Sequence, residues 1–382
     1  MAVIHIVGAG ALGLLKAHYL TKSNYKVVLI LKDSTSLKRF VDNKNTIKLT
    51  TLHRQKKEGP AAVETFQNQV SGITLSPSDA STPVSISKLV VATKAGEVSD
   101  VLERALPFMT PGCQILLVQN GISAVYRRVH ASFLARSEIR ELGIQLNLAV
   151  VTHGAYIDPN TSYHVVHSGM GSLCIQRVDP SCPTLEDPRQ EQGGEGGGEE
   201  DGEGRKGTKC DDCSSSTALA QAVVAAEGLG ARMSSSYREF LFAAEAKLAG
   251  NAVINPLTAI FNCRNGDLLR TPSATLLFHS LASEVATIIA AASTAAGETP
   301  VEKEAYAQSL SASVFKILEI TAANRTSMLQ DILARRKTEI DFLTGHVLTL
   351  AKEKGVKAPI SQQLFDFVKA KEELGALDDI YQ

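Results

Sequence analysis

Apolar residues in the first half of the chain fall in short continuous runs rather than in alternation. Val3–Val7, Lys26–Leu31, 89–93 and 115–118 are rich in Val, Ile and Leu, and each is followed closely by glycine or polar residues. Runs of this kind predict strands of a parallel sheet covered on both faces. Segments 14–20 and 98–108 carry helical spacing between them, so the first half reads as an α/β, doubly wound domain of the Rossmann type. Segments 146–157, 163–167 and 172–176 then predict antiparallel edge strands that close this domain near residue 178.

From 179 to 216 the pattern stops. Gly, Glu, Asp, Pro and Ser dominate, and a stretch so poor in large apolar residues cannot offset the entropy of ordering it, which predicts a disordered, solvent-exposed insertion. Beyond it, 217–228 predicts a helix and 230–233 a short extended piece. Helical spacing fills the rest, over 238–262, 272–296, 302–322, 327–337, 338–354 and 361–374. Pro256 is expected to kink or end the first of these just after Asn255. The expected organisation is a dinucleotide-binding domain over 1–178, the insertion over 179–216, and a mainly helical domain over 217–382, all-α from about 238. Two such bodies leave a cleft between them.

A length of 382 residues suits two domains, and 44% hydrophobic with 21% charged residues is an ordinary globular composition. The formal net charge of −1 argues against nucleic acid and against an anionic membrane surface as partners. No uninterrupted apolar run reaches the roughly 18 residues of a spanning helix; the nearest, 281–296, carries Glu284. A strand opening at Val3 leaves no room for a leader, so a cytoplasmic chain with reduced cysteines is expected. Cys210-Asp-Asp-Cys213 is a single CxxC without a second pair, and no metal site is expected.

Candidate chemistry begins at Gly8-Ala9-Gly10-Ala11-Leu12-Gly13, placed between the first strand and an amphipathic helix. There Gly8 serves the tight turn, Gly10 the approach of a pyrophosphate to backbone, and Gly13 close helix–strand packing, with the helix N-terminus facing the phosphates. After the second strand, where NAD-selective folds place a carboxylate, come Lys32, then Asp33, Lys38 and Arg39. Lys32 favours a 2′-phosphate and hence NADP(H); Asp33 either repels that phosphate or starts a turn. Lys94 and Asn120 follow later strands, where ligands of open α/β sheets sit. For Asn120-Gly121 an ordinary turn is an equal reading.

In the helical half, Lys247, Asn251 and Asn255 recur at i, i+4 and i+8 amid Ala, Val, Ile and Leu. At about 100° per residue they form one drifting stripe. A solvated face would carry more Lys and Glu; one lysine with two carboxamides suits a pocket donating hydrogen bonds to an anionic or carbonyl ligand. Ser327, with Gln330 three residues on, reads as a capping box, and Glu339 as a first-turn carboxylate of a further helix.

Taken together, these residues resemble the ketopantoate reductase (2-dehydropantoate 2-reductase) family nearly end to end. The resemblance rests on the glycine loop, Lys94-Ala, Gln119-Asn120-Gly121, His167-Ser-Gly-Met-Gly171, the run from Lys247 through Asn255-Pro-Leu-Thr, Ser327-Met-Leu-Gln-Asp331 and Thr338-Glu339-Ile-Asp341. It implies NADPH-dependent reduction of 2-dehydropantoate to (R)-pantoate, a step of pantothenate and coenzyme A synthesis. It makes Lys247 the general acid and Glu339 its neighbour. Asn251, Asn255 and Ser327 would bind substrate, Asn120 would lie near substrate and nicotinamide, and Lys94 near the cofactor. Lys32 stands where arginine is common, and short bacterial members lack the insertion. The alternatives are a related NADP-dependent reductase of another 2-keto acid, or a catalytically silent NADP(H)-binding sensor or scaffold, which would need only the first domain. The implied partner is a small 2-keto acid, and a homodimer is compatible with the chain.

Overall fold

The apolar runs fold as parallel strands because each is buried on both sides. A computed structural model describes residues 3–52, 62–66, 70–75, 84–186, 216–293 and 299–377, and divides into two units, Met1–Phe240 and Leu241–Gln382. The first unit opens with β1 (Val3–Val7), α1 (Ala11–Lys22), β2 (Lys26–Leu31), α2 (Ser34–Asp42), β3 (Ile47–Thr51) and β4 (Ala62–Phe66). It continues with β5 (Val70–Thr74), β6 (Ile86–Val91), α3 (Val98–Ala105), β7 (Met109–Leu117), α4 (Ile122–Val129) and α5 (Ser137–Glu141). It closes with β8 (Gln145–Val151), β9 (Gly154–Ile157), β10 (His164–Gly169), β11 (Leu173–Val178), α6 (Ala218–Ala225) and β12 (Ala231–Met233).

The main sheet runs β12-β11-β8-β7-β6-β1-β2-β5 and is parallel from β5 to β8. The chain leaves β1 for β2 on one side and returns to β6 on the other, so β1 and β6 frame a topological switch point. Two expectations change here. The apolar stretch 146–157 breaks at Thr152 and His153 into β8 and β9, which belong to different sheets. Nor do β10 and β11 pair with each other: β11 runs antiparallel to β8, whereas β10 joins a second sheet, β4-β3-β10-β9.

The insertion also begins later than composition suggests. Residues 179–186 are turns with Cys182 and Leu185 buried, held as Tyr126 donates to the Asp179 and Cys182 carbonyls at 2.9 and 2.5 Å. Its remainder, including Cys210-Asp-Asp-Cys213, lies within 187–215, outside the described residues. The segment after it, grouped by sequence with the helical half, instead gives the first unit α6 and β12.

α7 (Tyr237–Phe261) leads into the second unit, followed by α8 (Pro272–Ser293), α9 (Pro300–Ile320), α10 (Ser327–Leu333), α11 (Thr344–Lys354) and α12 (Pro359–Leu377). Leu248, Val253 and Leu257 of α7 meet Phe278, Leu281, Val285 and Ile289 of α8 in one core. By length and composition α8 could span a membrane, at a mean hydropathy of 1.5, and its buried face is part of this core.

Pro256 does not end α7, which runs on to Phe261. Proline removes the amide that would bond the Ala252 carbonyl; the buried Thr344 hydroxyl, 3.4 Å away, donates to that carbonyl instead. Nor does Ser327 cap α10. The cap is Thr326, whose Oγ1 accepts from the Leu329 amide at 3.2 Å and lies 2.8 Å from the Thr258 hydroxyl. Thr258 donates onward to the Asn255 carbonyl at 3.0 Å, so a single directed chain of bonds ties the start of α10 to Asn255. Thr326→Ala should therefore cost about 1–2 kcal/mol, the upper part of the capping range. Urea denaturation of the two proteins checks this, and equal midpoints would contradict it.

Candidate active site

Within the first unit the glycine loop follows β1 at the switch point. Gly8 sits at φ +103°, and a Cβ there would lie 2.6 Å from the Ala92 carbonyl carbon. At Gly13 a Cβ would lie 1.9 Å from the Gly8 oxygen, so α1 presses against its own loop where only glycine fits. Gly10 differs: a Cβ would meet nothing within 4 Å, and the residue is exposed. Gly10 is also the N-cap of α1, with no side-chain cap and no acidic residue in the first turn. The result is an uncapped, positively polarised helix end beside open space, which fits the pyrophosphate of a dinucleotide. Ala9, Ala11 and Leu12 complete the loop and are half-buried.

The ends of β6 and β7, and of β2 on the other side of β1, supply the other first-unit candidates. Exposed Lys94 follows β6, and half-buried Asn120 follows β7. Their strands are fastened by buried Gln119, whose side chain accepts from the Val118 amide at 3.0 Å and donates to the Val91 carbonyl at 2.8 Å. Gly121, at φ +61°, turns the chain from β7 into α4. Exposed Lys32 follows β2. Asp33 caps α2: the Ser36 amide donates to it at 2.7 Å and holds its carboxyl below the usual range. The sequence reading missed Arg104, whose guanidinium donates to the Lys32 carbonyl at 3.2 Å and adds a second cation to this strand end. Seventy-two residues separate the two, so no local pattern links them.

In the second unit Lys247, Asn251 and Asn255 share a face of α7. Lys247 and Asn251 are half-buried, and Asn255 is buried. Burial pushes the Lys247 ammonium down to about 8, and the charge of Glu339 acts the other way. Glu339 stands at the N-cap of a 3-10 turn, Ile340–Phe342, with no side-chain cap bond there, rather than inside the first turn of a longer helix. Ser327, relieved of capping, is exposed at the start of α10 beside the chain of bonds leading to Asn255. Each group therefore gathers inside its own unit. The glycine loop, Lys94, Asn120 and Lys32 gather at the strand ends of the first. Lys247, Asn251, Asn255, Glu339 and Ser327 belong to α7 and the turns tied to it in the second.

Comparison with known proteins fits both halves. A model described as "Ketopantoate reductase PanE/ApbA" matches residues 4–180, and "Ketopantoate reductase PanE/ApbA C terminal" matches 240–372. A 2-dehydropantoate 2-reductase of Yersinia pestis is 31% identical over 288 residues, covering 74% of each chain. The chain belongs to the ketopantoate reductase family. A Schizosaccharomyces pombe protein named "Probable 2-dehydropantoate 2-reductase" is 29% identical over 381 residues and 96% of each chain, so the family likeness extends across the whole length. Among solved structures, D-mandelate dehydrogenase with NADH and anilino(oxo)acetate aligns at TM-score 0.68 and 19% identity, over 98% of this chain and 99% of that one. A ketopantoate reductase family structure from Ralstonia eutropha aligns at 0.65 and 19%, over 98% and 100%. These likenesses fix the fold: a Rossmann-type domain followed by a helical one. The two ketopantoate reductase matches leave out only 181–239 between them, the stretch that holds the insertion.

Proposed function

We propose that this chain reduces the C2 carbonyl of 2-dehydropantoate to (R)-pantoate with NADPH. The loop from Gly8 to Gly13 would hold the pyrophosphate, Lys32 the 2′-phosphate, and Lys94 and Asn120 the nicotinamide half. When bound, the cofactor supplies the hydride. As charge grows on the carbonyl oxygen, the Lys247 ammonium stabilises it and delivers the proton. Glu339 keeps that ammonium charged and oriented. Asn251, Asn255 and Ser327 are neutral donors and acceptors suited to the substrate's carboxylate and hydroxyl. The single observation that carries this reading is a half-buried lysine on an apolar helix, lowered to about 8 with a carboxylate opposing the shift. A general acid serves best when its pKa lies near the working pH.

Reduction needs the ammonium, which is present below about 8 and lost above it, so turnover should be flat at neutral pH and fall about tenfold per unit well above 8. The reverse oxidation should rise over the same range. Rates from pH ~6 to ~10 with NADPH and with NADH test mechanism and cofactor together. A reduction rate that climbs through this range would refute the general acid, and equal efficiency with NADH would refute the 2′-phosphate role of Lys32.

A further inference from the structure

Glu339 is held from outside its own turn. The Thr338 amide donates to Glu372 Oε1 at 2.6 Å, and the Thr338 hydroxyl accepts from the Ile340 amide at 3.2 Å. On the far side of Glu339, Lys369 Nζ lies 3.4 Å from Asp341 Oδ2 and 3.3 Å from Glu372 Oε2. Residues on both flanks of Glu339 are thus bonded to one turn of α12. The same turn reaches the helix of the lysine: Lys371 Nζ donates to the Ala259 and Ile260 carbonyls at 2.9 and 3.3 Å, at the end of α7. The Glu372 side chain is only 11% exposed, so its bond to the Thr338 amide is largely shielded from competing water.

We infer that this turn of α12, through Glu372 and Lys369, is a positioning element that fixes Glu339 against Lys247. The inference rests on the assignment of Lys247 and Glu339 in the proposed function. The charge of Glu339 acts on Lys247 and opposes the effect of burial. Glu245, two residues earlier and about 200° round α7, is instead bonded to Ser293 and Tyr306. Without the Glu372 acceptor, the turn at Thr338 leaves an amide unpaired and is free to swing the Glu339 carboxylate away.

The test follows the pH at which Lys247 titrates, by NMR of the full chain labelled at lysine Cε, the signal being assigned by its loss in Lys247→Ala. In Glu339→Gln the titration should move down by about half a unit or more. Glu372→Ala should move it the same way, whereas Glu372→Gln, which keeps an acceptor for the Thr338 amide, should restore most of the wild-type value. Lys369→Met, which removes the contacts to Asp341 and to Glu372 Oε2 but leaves Glu372 Oε1 to accept from the Thr338 amide, should give a smaller downward shift and serves if Glu372→Ala fails to fold. A wild-type titration in Glu372→Ala or Lys369→Met, with Glu339→Gln shifted, overturns the inference alone. No shift in Glu339→Gln overturns the pairing on which it rests. In shifted variants the alkaline limb of kcat should move with the titration, a response that general loss of stability would not produce.

Discussion

Lys247→Ala should lower turnover of the keto acid by roughly 10²–10⁴ while nicotinamide-cofactor binding stays close to wild type. The reason is division of labour. The proposed cofactor loop lies between β1 and α1 of the first unit, whereas the proposed proton donor stands on α7 of the second. The side chain is half-buried and its ammonium is disfavoured by burial, so loss of the charge itself should cost little stability. The loss should appear in kcat, because a group that meets charge formed in the transition state contributes little to ground-state binding. Steady-state rates with cofactor titration by fluorescence separate the two effects. Wild-type turnover in this variant would remove Lys247 from the chemistry.

The second large effect is a contrast between two glycines three residues apart. At Gly13 an added methyl would lie 1.9 Å from a backbone oxygen. Alanine in a helix gains about 1 kcal/mol over glycine, but overpacking against rigid backbone costs about 3 kcal/mol, so the net is destabilising. Gly13→Ala should lower the unfolding midpoint clearly and reduce dinucleotide affinity with it. At Gly10 the methyl meets no protein atom, so stability should change by less than about 1 kcal/mol. If a pyrophosphate occupies that space, affinity should still fall about tenfold or more, equivalent to 1.4 kcal/mol. Thermal unfolding and cofactor titration of both variants decide the matter. Unchanged affinity in Gly10→Ala would mean that the open space serves something else.

Much of this was legible where chemistry and periodicity coincide. The glycine loop announced itself because strand, turn and helix follow within twenty residues. The stripe of Lys247, Asn251 and Asn255 did so because helical spacing puts three polar residues on one face of an apolar helix, and α7 holds all three with Asn255 buried. What escaped depends on partners distant in sequence. Ser327 looked like a cap because Gln330 sits at capping-box spacing, yet Thr326 takes the role, helped by Thr258, sixty-eight residues away. Pro256 looked like a helix end because its cost is local, and its remedy, the Thr344 hydroxyl, comes ninety-two residues after the Ala252 carbonyl that it satisfies. Glu372 and Arg104 carry no local signature at all. The second sheet was missed because β3 and β10 pair across more than a hundred residues, and neither strand reveals its partner.

The most direct measurement is the initial rate of NADPH oxidation by the purified chain with 2-dehydropantoate, beside aromatic and aliphatic 2-keto acids. The proposed function predicts rapid oxidation with 2-dehydropantoate, little with the others, and loss of that rate in Lys247→Ala. NADPH binding without turnover of any keto acid would contradict it.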